Sequence, residues 1–409
     1  MATDARSLNP FRILAVHRNF RLFLIGQTVS LIGTWMQQVA TGWLALELSN
    51  DAFLVGLVSA AGTFPILLLS LPAGVIADRA EKLKVVRIAQ SAMLVEASIL
   101  WWFTWSGHIN IGWLLALSLF GGTLAAFEIP ARQSLMIDLV NKDDLQDAIA
   151  LNSGGFNLAR ILGPSVAALV IAQLGLAWCF GFNALSYFAV LIGLSMIRVP
   201  RRHAEGAVHA SPLAGIAEAL RYVRNDRVMW IVIRVVAVFS FLGIPVLTLL
   251  PVMARDHLGL DASGYGALMM CFGAGALLGA LTIAAQGSRL PRGAALTASS
   301  LMLCVAIIAF ALSSSVIFSG AMLFVCGVSM VMNNALINGM LQHRVSDALR
   351  GRVMSVYVML YVGMNPLGSF TAGWVARHAG APWAVGGGAA LMLAFAVWAF
   401  RRYPELRRS

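Results

Sequence analysis

Glu96, Glu128, Arg160 and Arg234 stand well inside long apolar runs of this 409-residue sequence, away from the basic run ends. Charge in a low-dielectric interior is costly, so each needs a partner or a task. Glu128 precedes Arg132 by one helical turn and lies on the run before Arg160. Carboxylate beside guanidinium supports two chemistries: a static ion pair, or a proton carrier whose charge alternates with conformation. Arg160 falls about eleven residues into its run, roughly 16 Å along a helix axis. It shares one face with Ser153, Asn157 and Pro164 through three-and-four spacing. Glu96, midway along an earlier run, reads either as a hydrogen-bonded acid or as a second proton carrier, whereas Arg234 snorkels toward the nearer surface. Other chemistries find no support. The histidines His17, His108, His203, His209, His257, His343 and His378 are scattered, without triad or metal-ligand grouping. Cys179, Cys271, Cys304 and Cys326 sit within apolar runs as small packing residues. A glycine-rich phosphate loop with lysine is also lacking. The expectation is a protein that is not an enzyme and has no metal or cofactor.

The elements that hold these charges follow from composition. Hydrophobic residues make up 59% of the chain and charged residues 11%, against about 25% charged in a typical soluble domain. Apolar runs at 20–46, 53–77, 85–106, 112–134, 149–174, 178–197, 228–252, 262–286, 293–313, 316–341, 351–376 and 382–400 each approach the ~20 residues that cross a bilayer as a helix. Strand alternation is absent, and backbone groups in lipid must be satisfied internally. The fold class expected is an all-α integral membrane protein of twelve transmembrane helices. The net charge of +11 is spread unevenly. With the start inside, the bases crowd the ends and the even-numbered connections, and only Arg255 and Arg377 flank the other side. This bias places both termini in the cytoplasm and explains the basic balance without a nucleic-acid partner. The first residues show no signal-peptide pattern.

The longest polar stretch, Ile197 to Arg227, divides the chain into a bundle over 1–197, a cytoplasmic linker over 198–227 and a second bundle over 228–409. Within the linker, Pro212 to Arg224 fits a short amphipathic helix on an anionic leaflet. A shift of 210 positions aligns Gly33 with Gly243, Asp51 with Asp261, Gly56 with Gly266 and Arg79 with Arg289. Parallel six-helix repeats of this kind characterise two-halved transporters with a site near the midplane. Polar residues recur on single faces: Gln27, Ser30, Thr34, Gln37 and Thr41 on the first span; Asn334, Asn338 and Gln342 on the tenth; Tyr357, Tyr361 and Asn365 on the eleventh. Such faces either line a cavity or bond helix to helix. Trp35, Met36, Met330 and Met364 beside them suit a mixed aromatic and polar solute.

Four collinear stretches, "NFRLFLIGQTVSLIGTWMQQVATGWLALEL", "AGVIADR", "IPARQSLMIDLV" with "ALNSGGFNLARILGP", and "LRGRVMSVYVMLYVGMNPLGSFTAGW", resemble the major facilitator superfamily. Within it they are similar to the bacterial transmembrane secretion effector branch that includes the enterobactin exporter. The resemblance implies two six-helix bundles in the inner membrane and secondary export of amphipathic, siderophore-like or drug-like small molecules by alternating access with proton antiport. Its partners would be the solute, the proton and the bilayer. Proton-coupled nutrient uptake and a non-transporting membrane sensor are the alternatives. The family's loop motif maps onto Gly74, Asp78 and Arg79, with Glu81 and Leu83 replacing its usual glycine and base. By resemblance, Gly74 allows close helix packing and Asp78 meets the start of the eleventh helix at Arg350, Gly351 and Arg352, which makes a cytoplasmic gate. The alternative is that the motif only fixes topology. Gly163 and Pro164 resemble the exporter motif of the fifth helix, with Ala159, Ala167 and Ala168 in place of its flanking glycines. A proline there gives a pliable packing surface.

Overall fold

A computed structural model describes residues 11–197, 212–286, 291–345 and 347–408. Twelve long helices dominate it: α1 Arg18–Ser49, α2 Ala52–Arg79, α3 Lys82–Trp105, α4 Ile111–Asp138, α5 Leu145–Leu174, α6 Ala177–Met196, α7 Arg227–Gly243, α8 Ala262–Gln286, α9 Arg292–Leu312, α10 Val316–Arg344, α11 Asp347–Ala379 and α12 Ala381–Arg402. Short turns at Pro245–Thr248 and Leu250–Val252 and a π-turn at Met253–His257 extend α7. A further helix, Pro212–Asn225, precedes α7 and packs on α11. Residues 198–211 of the expected linker lie outside the described residues.

The helix ends are written in the loops. Asp51 accepts from the Phe53 amide at 2.9 Å, Asn110 from Trp113 at 3.0 Å, and Asp226 from Val228 at 2.8 Å and Met229 at 3.0 Å, each satisfying amides that the helix cannot pair itself. Asp261 repeats the cap of Asp51 one half later, accepting from Gly264 N at 2.8 Å. Asn50 at φ 48° and Gly175 at φ 88° turn the chain out of α1 and α5 through the left-handed region.

Ten of the described helices are long and apolar enough to cross a membrane on composition alone. Of the twelve, α1 and α3 fall short. The first carries Arg18, Arg21, Gln27, Gln37 and Gln38, and the third Lys82, Lys84, Arg87 and Glu96. Both are packed into the first bundle, α1 against α5 and α6, and α3 against α4 and α6. Large apolar side chains such as Leu169, Leu185, Leu281, Ile317 and Leu391 remain exposed around the outside, the reverse of a soluble surface and the expected face toward lipid.

The two halves meet where the repeat brings equivalent glycines. A Cβ on Gly56 would strike the Ser369 carbonyl of α11, and one on Gly266 the Ala168 side chain of α5. Small residues let these helix pairs, α2 with α11 and α8 with α5, approach to backbone contact. The pairs are related by the same shift that aligns Gly56 with Gly266.

Candidate functional site

The first half holds a polar network in its core. Glu96 of α3 is 3% exposed, and the Gln37 amide of α1 donates to its two oxygens at 3.2 and 3.3 Å. Asn183 of α6 donates in turn to the Gln37 carbonyl at 2.7 Å, and Ser186 donates to Asn183 Oδ1 at 3.1 Å. Thr34 meets the Tyr187 hydroxyl at 3.3 Å. Gly33 gives α6 room to come in, since a Cβ there would strike the Asn183 and Ser186 side chains. The first-span stripe forms a seam of the bundle at Gln37, where Gln27 and Ser30 are buried as well, while Thr34 is exposed. Partners from α3 and α6 claim polar groups whose pairing sequence periodicity leaves open. Asn183, Ser186 and Tyr187 were not among the expected site residues, although their three-and-four spacing inside an apolar run was legible.

Glu128 belongs to a second cluster. Arg132 Nε lies 2.9 Å from Glu128 Oε1, and Gln90 Nε2 donates to the same oxygen at 3.1 Å. The Arg132 N–H is not aimed at that oxygen; the separation makes it a close ion pair without an aligned hydrogen bond. Between the two arginines open to Glu128 by sequence, the structure supplies Arg132. Arg160 instead donates from Nη2 to Asn157 Oδ1 at 2.9 Å, one turn back on α5, and lies within electrostatic range of Tyr361 on α11. Arg234 stacks over Trp230, with its guanidinium carbon 4.5 Å from the ring centre.

In the second half, Asn334 donates to the Tyr361 hydroxyl at 2.8 Å, Asn338 is bonded to Tyr357, and the two tyrosine rings stack at 6.0 Å. Asn334 and Tyr361 face a small cavity whose walls are otherwise largely apolar, among them Phe239, Phe272 and Met330. Asn365 sits farther along α11 and accepts from Ser369 at 3.1 Å; Ser369 meets Thr248 at 2.9 Å, and Thr248 meets Ser59 of α2 at 3.3 Å. Gly163 and Pro164 are buried. A Cβ on Gly163 would collide with Trp35, so the fifth-helix motif is the surface on which α5 meets α1.

The contacts joining the halves among the described residues run from mid-membrane to the face opposite the termini. Arg255 donates to Asn50 Oδ1 at 2.7 Å and to the Leu46 carbonyl at 3.4 Å; Arg377 approaches Asp51 at 3.4 Å. Trp43 stacks on Tyr265 at 5.9 Å and Phe53 meets Phe370 at 5.3 Å. Arg255 and Arg377, the two bases that break the charge bias, are thus bridging residues. On the terminus-bearing side, a Cβ on Gly74, Gly154 or Gly339 would meet none of the described residues within 4 Å. No described residue makes the close packing expected at Gly74. Asp78, Arg79, Arg350, Gly351 and Arg352, the rest of the expected gate, lie outside the residues whose side chains are described.

This arrangement of two bundles, a bridged face and a polar midplane has the form of a major facilitator transporter, and comparison with known proteins agrees. A family model described as transmembrane secretion effector matches residues 5–408. The chain belongs to the transmembrane secretion effector family. It is 27% identical over 355 residues to the staphyloferrin A transporter of Staphylococcus aureus, covering 85% of this chain and 87% of the relative. To the multidrug efflux pump Tap of Mycobacterium tuberculosis it is 27% identical over 374 residues, covering 88% and 87%. Among solved structures, a bacterial homologue of the human lysosomal transporter Spinster, captured inward-facing and unoccupied, superposes with a TM-score of 0.73 at 16% identity over 96% of this chain and 98% of that one. That likeness establishes the major facilitator fold.

Proposed function

We propose that this chain exports amphipathic small molecules across the bacterial inner membrane by alternating access, in exchange for protons. The bundles would span 1–197 and 228–409, joined by a cytoplasmic linker at 198–227, with both termini cytoplasmic. Family membership and the efflux and siderophore relatives support export. The observation that supports the mechanism is the set of bridges at Arg255, Arg377 and Trp43 on one face, with no described residue packed on Gly74, Gly154 or Gly339 toward the other. A bundle pair closed on one side and open on the other is one end state of a rocking carrier.

Glu96 is the proposed proton carrier. Among the described residues its hydrogen-bond partner is the neutral Gln37 amide, so it can take up and release a proton without breaking an ion pair, whereas protonation of Glu128 removes the countercharge of Arg132. Gln37 and Asn183 connect Glu96 to α1 and α6, so loss of its charge is felt by two helices beyond its own. The gate at Asp78 and Arg350 to Arg352 remains part of the proposal. The test is retention of a panel of fluorescent amphipathic compounds in cells expressing the protein. Lower retention that a protonophore abolishes is expected; higher retention would mark an importer and overturn the export reading.

A further inference from the structure

The three described arginines within or bordering the membrane interior beside the polar clusters are served unequally. Arg132 has the carboxylate of Glu128 at 2.9 Å. Arg234 lies over the Trp230 ring at 4.5 Å. Arg160 has no carboxylate within ion-pair distance among the described residues, and its buried Nε has no hydrogen-bond partner. A guanidinium carries five N–H donors in a planar fork, and one of them reaches an amide oxygen, that of Asn157 at 2.9 Å. Glu128 and Glu96, the acids nearest in sequence at membrane depth, are engaged by Arg132 and Gln37.

Arg160 also sits where a solute would pass. It lies midway along α5, within electrostatic range of Tyr361 of the opposite half. On its own half, the preceding turn carries Phe156, which is exposed and meets Trp35 edge-on at 6.0 Å. On the opposite half, Tyr361 stacks in parallel on Tyr357. The position combines an unneutralised planar cation with aromatic faces from both bundles.

We propose that Arg160 is a substrate-recognition residue that binds the carboxylate of an amphipathic aromatic acid. This deepens the export reading given above and rests on it. The planar fork accepts a carboxylate through two parallel N–H···O bonds, a geometry that neither an ester nor an amine reproduces. The aromatic rings of both halves then receive the apolar body, and the ligand supplies the countercharge missing from the protein. A cationic solute at the same depth meets repulsion.

The test uses the purified full-length protein in nanodiscs and a matched pair of probes, 4-(pyren-1-yl)butanoate and its methyl ester, with binding read by fluorescence anisotropy. The acid is expected to bind at least ten-fold more tightly than the ester. Arg160→Gln removes that preference while leaving ester affinity within about two-fold, and Arg160→Lys restores part of it. Equal affinities for acid and ester in the unmodified protein, or a preference that survives Arg160→Gln, overturn the assignment. The comparison in the unmodified protein stands even where Arg160→Gln does not fold. Retention of the two probes in expressing cells separates the levels of failure: export of the ester without preference for the acid refutes the substrate class and leaves the exporter intact. Absence of both binding and export of either probe counts against the substrate class and the exporter reading together.

Discussion

Arg255→Ala removes a bridge between the halves whose contribution can be worked out from its contacts. Nη1 donates to Asn50 Oδ1 at 2.7 Å and to the Leu46 carbonyl at 3.4 Å, while Nε holds Asp256 of its own half at 2.7 Å. The Asp256 contact exists whether or not the halves touch, so only the first two favour closure of this face. A hydrogen bond involving a charged group contributes about 1.5 to 3 kcal/mol. The Arg255 side chain is 29% exposed, which lowers the expected effect to about 1 to 2 kcal/mol after solvent screening. That corresponds to a shift of about 5- to 30-fold in the ratio of open to closed forms of this face. Spin labels at His108→Cys in the α3–α4 loop and Ser314→Cys in the α9–α10 loop, on a background lacking the four native cysteines, report the separation of the halves by pulsed dipolar spectroscopy. The longer-distance population should grow by that factor. Asn50→Ala should act in the same direction, and the double substitution should be less than additive because the two residues share one bond. An unchanged distance distribution in Arg255→Ala would refute the assignment of this contact as a bridge that holds the face closed.

Other perturbations follow from the packing and from the charges outside the membrane. Gly163→Leu forces a side chain into Trp35 and the Ile32 carbonyl and should destabilise the fold by about 1 to 3 kcal/mol, seen as a lower melting temperature in detergent; an unchanged melting temperature would show that α1 and α5 are not held at this distance. Asp261 accepts hydrogen bonds from the Gly264 amide and the Ser263 hydroxyl, which hold its carboxyl below the ordinary carboxylate range. A depressed native value means that the cap is fully effective above the unfolded-state value and is lost as pH falls through the native one. Asp261→Asn should therefore flatten the acid limb of the melting-temperature profile, and an identical acid limb would contradict the role of that cap.

Reading the sequence recovers the long-range architecture because the bilayer imposes it. Twelve runs gave twelve helices, and the repeat that aligns Asp51 with Asp261 and Gly56 with Gly266 reappears as paired caps and paired close approaches. Side-chain pairing was less legible. Periodicity put Gln37 on a polar face, yet whether that face met a cavity or a neighbouring helix depended on Asn183 and Glu96, which lie 146 and 59 positions away. Glu128 was open to two arginines; it pairs with Arg132, one turn along its own helix, and Arg160 turns to Asn157 instead. The bridging role of Arg255 and Arg377 had a signal in the sequence, their exception to the charge bias, but nothing local named Asn50 and Asp51 as their partners.

The most direct test of proton-coupled export is accumulation of an exported fluorescent probe in everted membrane vesicles under an imposed pH gradient, with unmodified protein, Glu96→Gln and Glu128→Gln compared at equal abundance. The account predicts gradient-driven accumulation by the unmodified protein. Glu96→Gln, which mimics a permanently protonated acid, should lose that accumulation while still exchanging labelled for unlabelled probe across the membrane. Glu128→Gln should lower abundance or thermal stability but retain coupling in the protein that remains. Undiminished gradient-driven accumulation by Glu96→Gln would contradict the account.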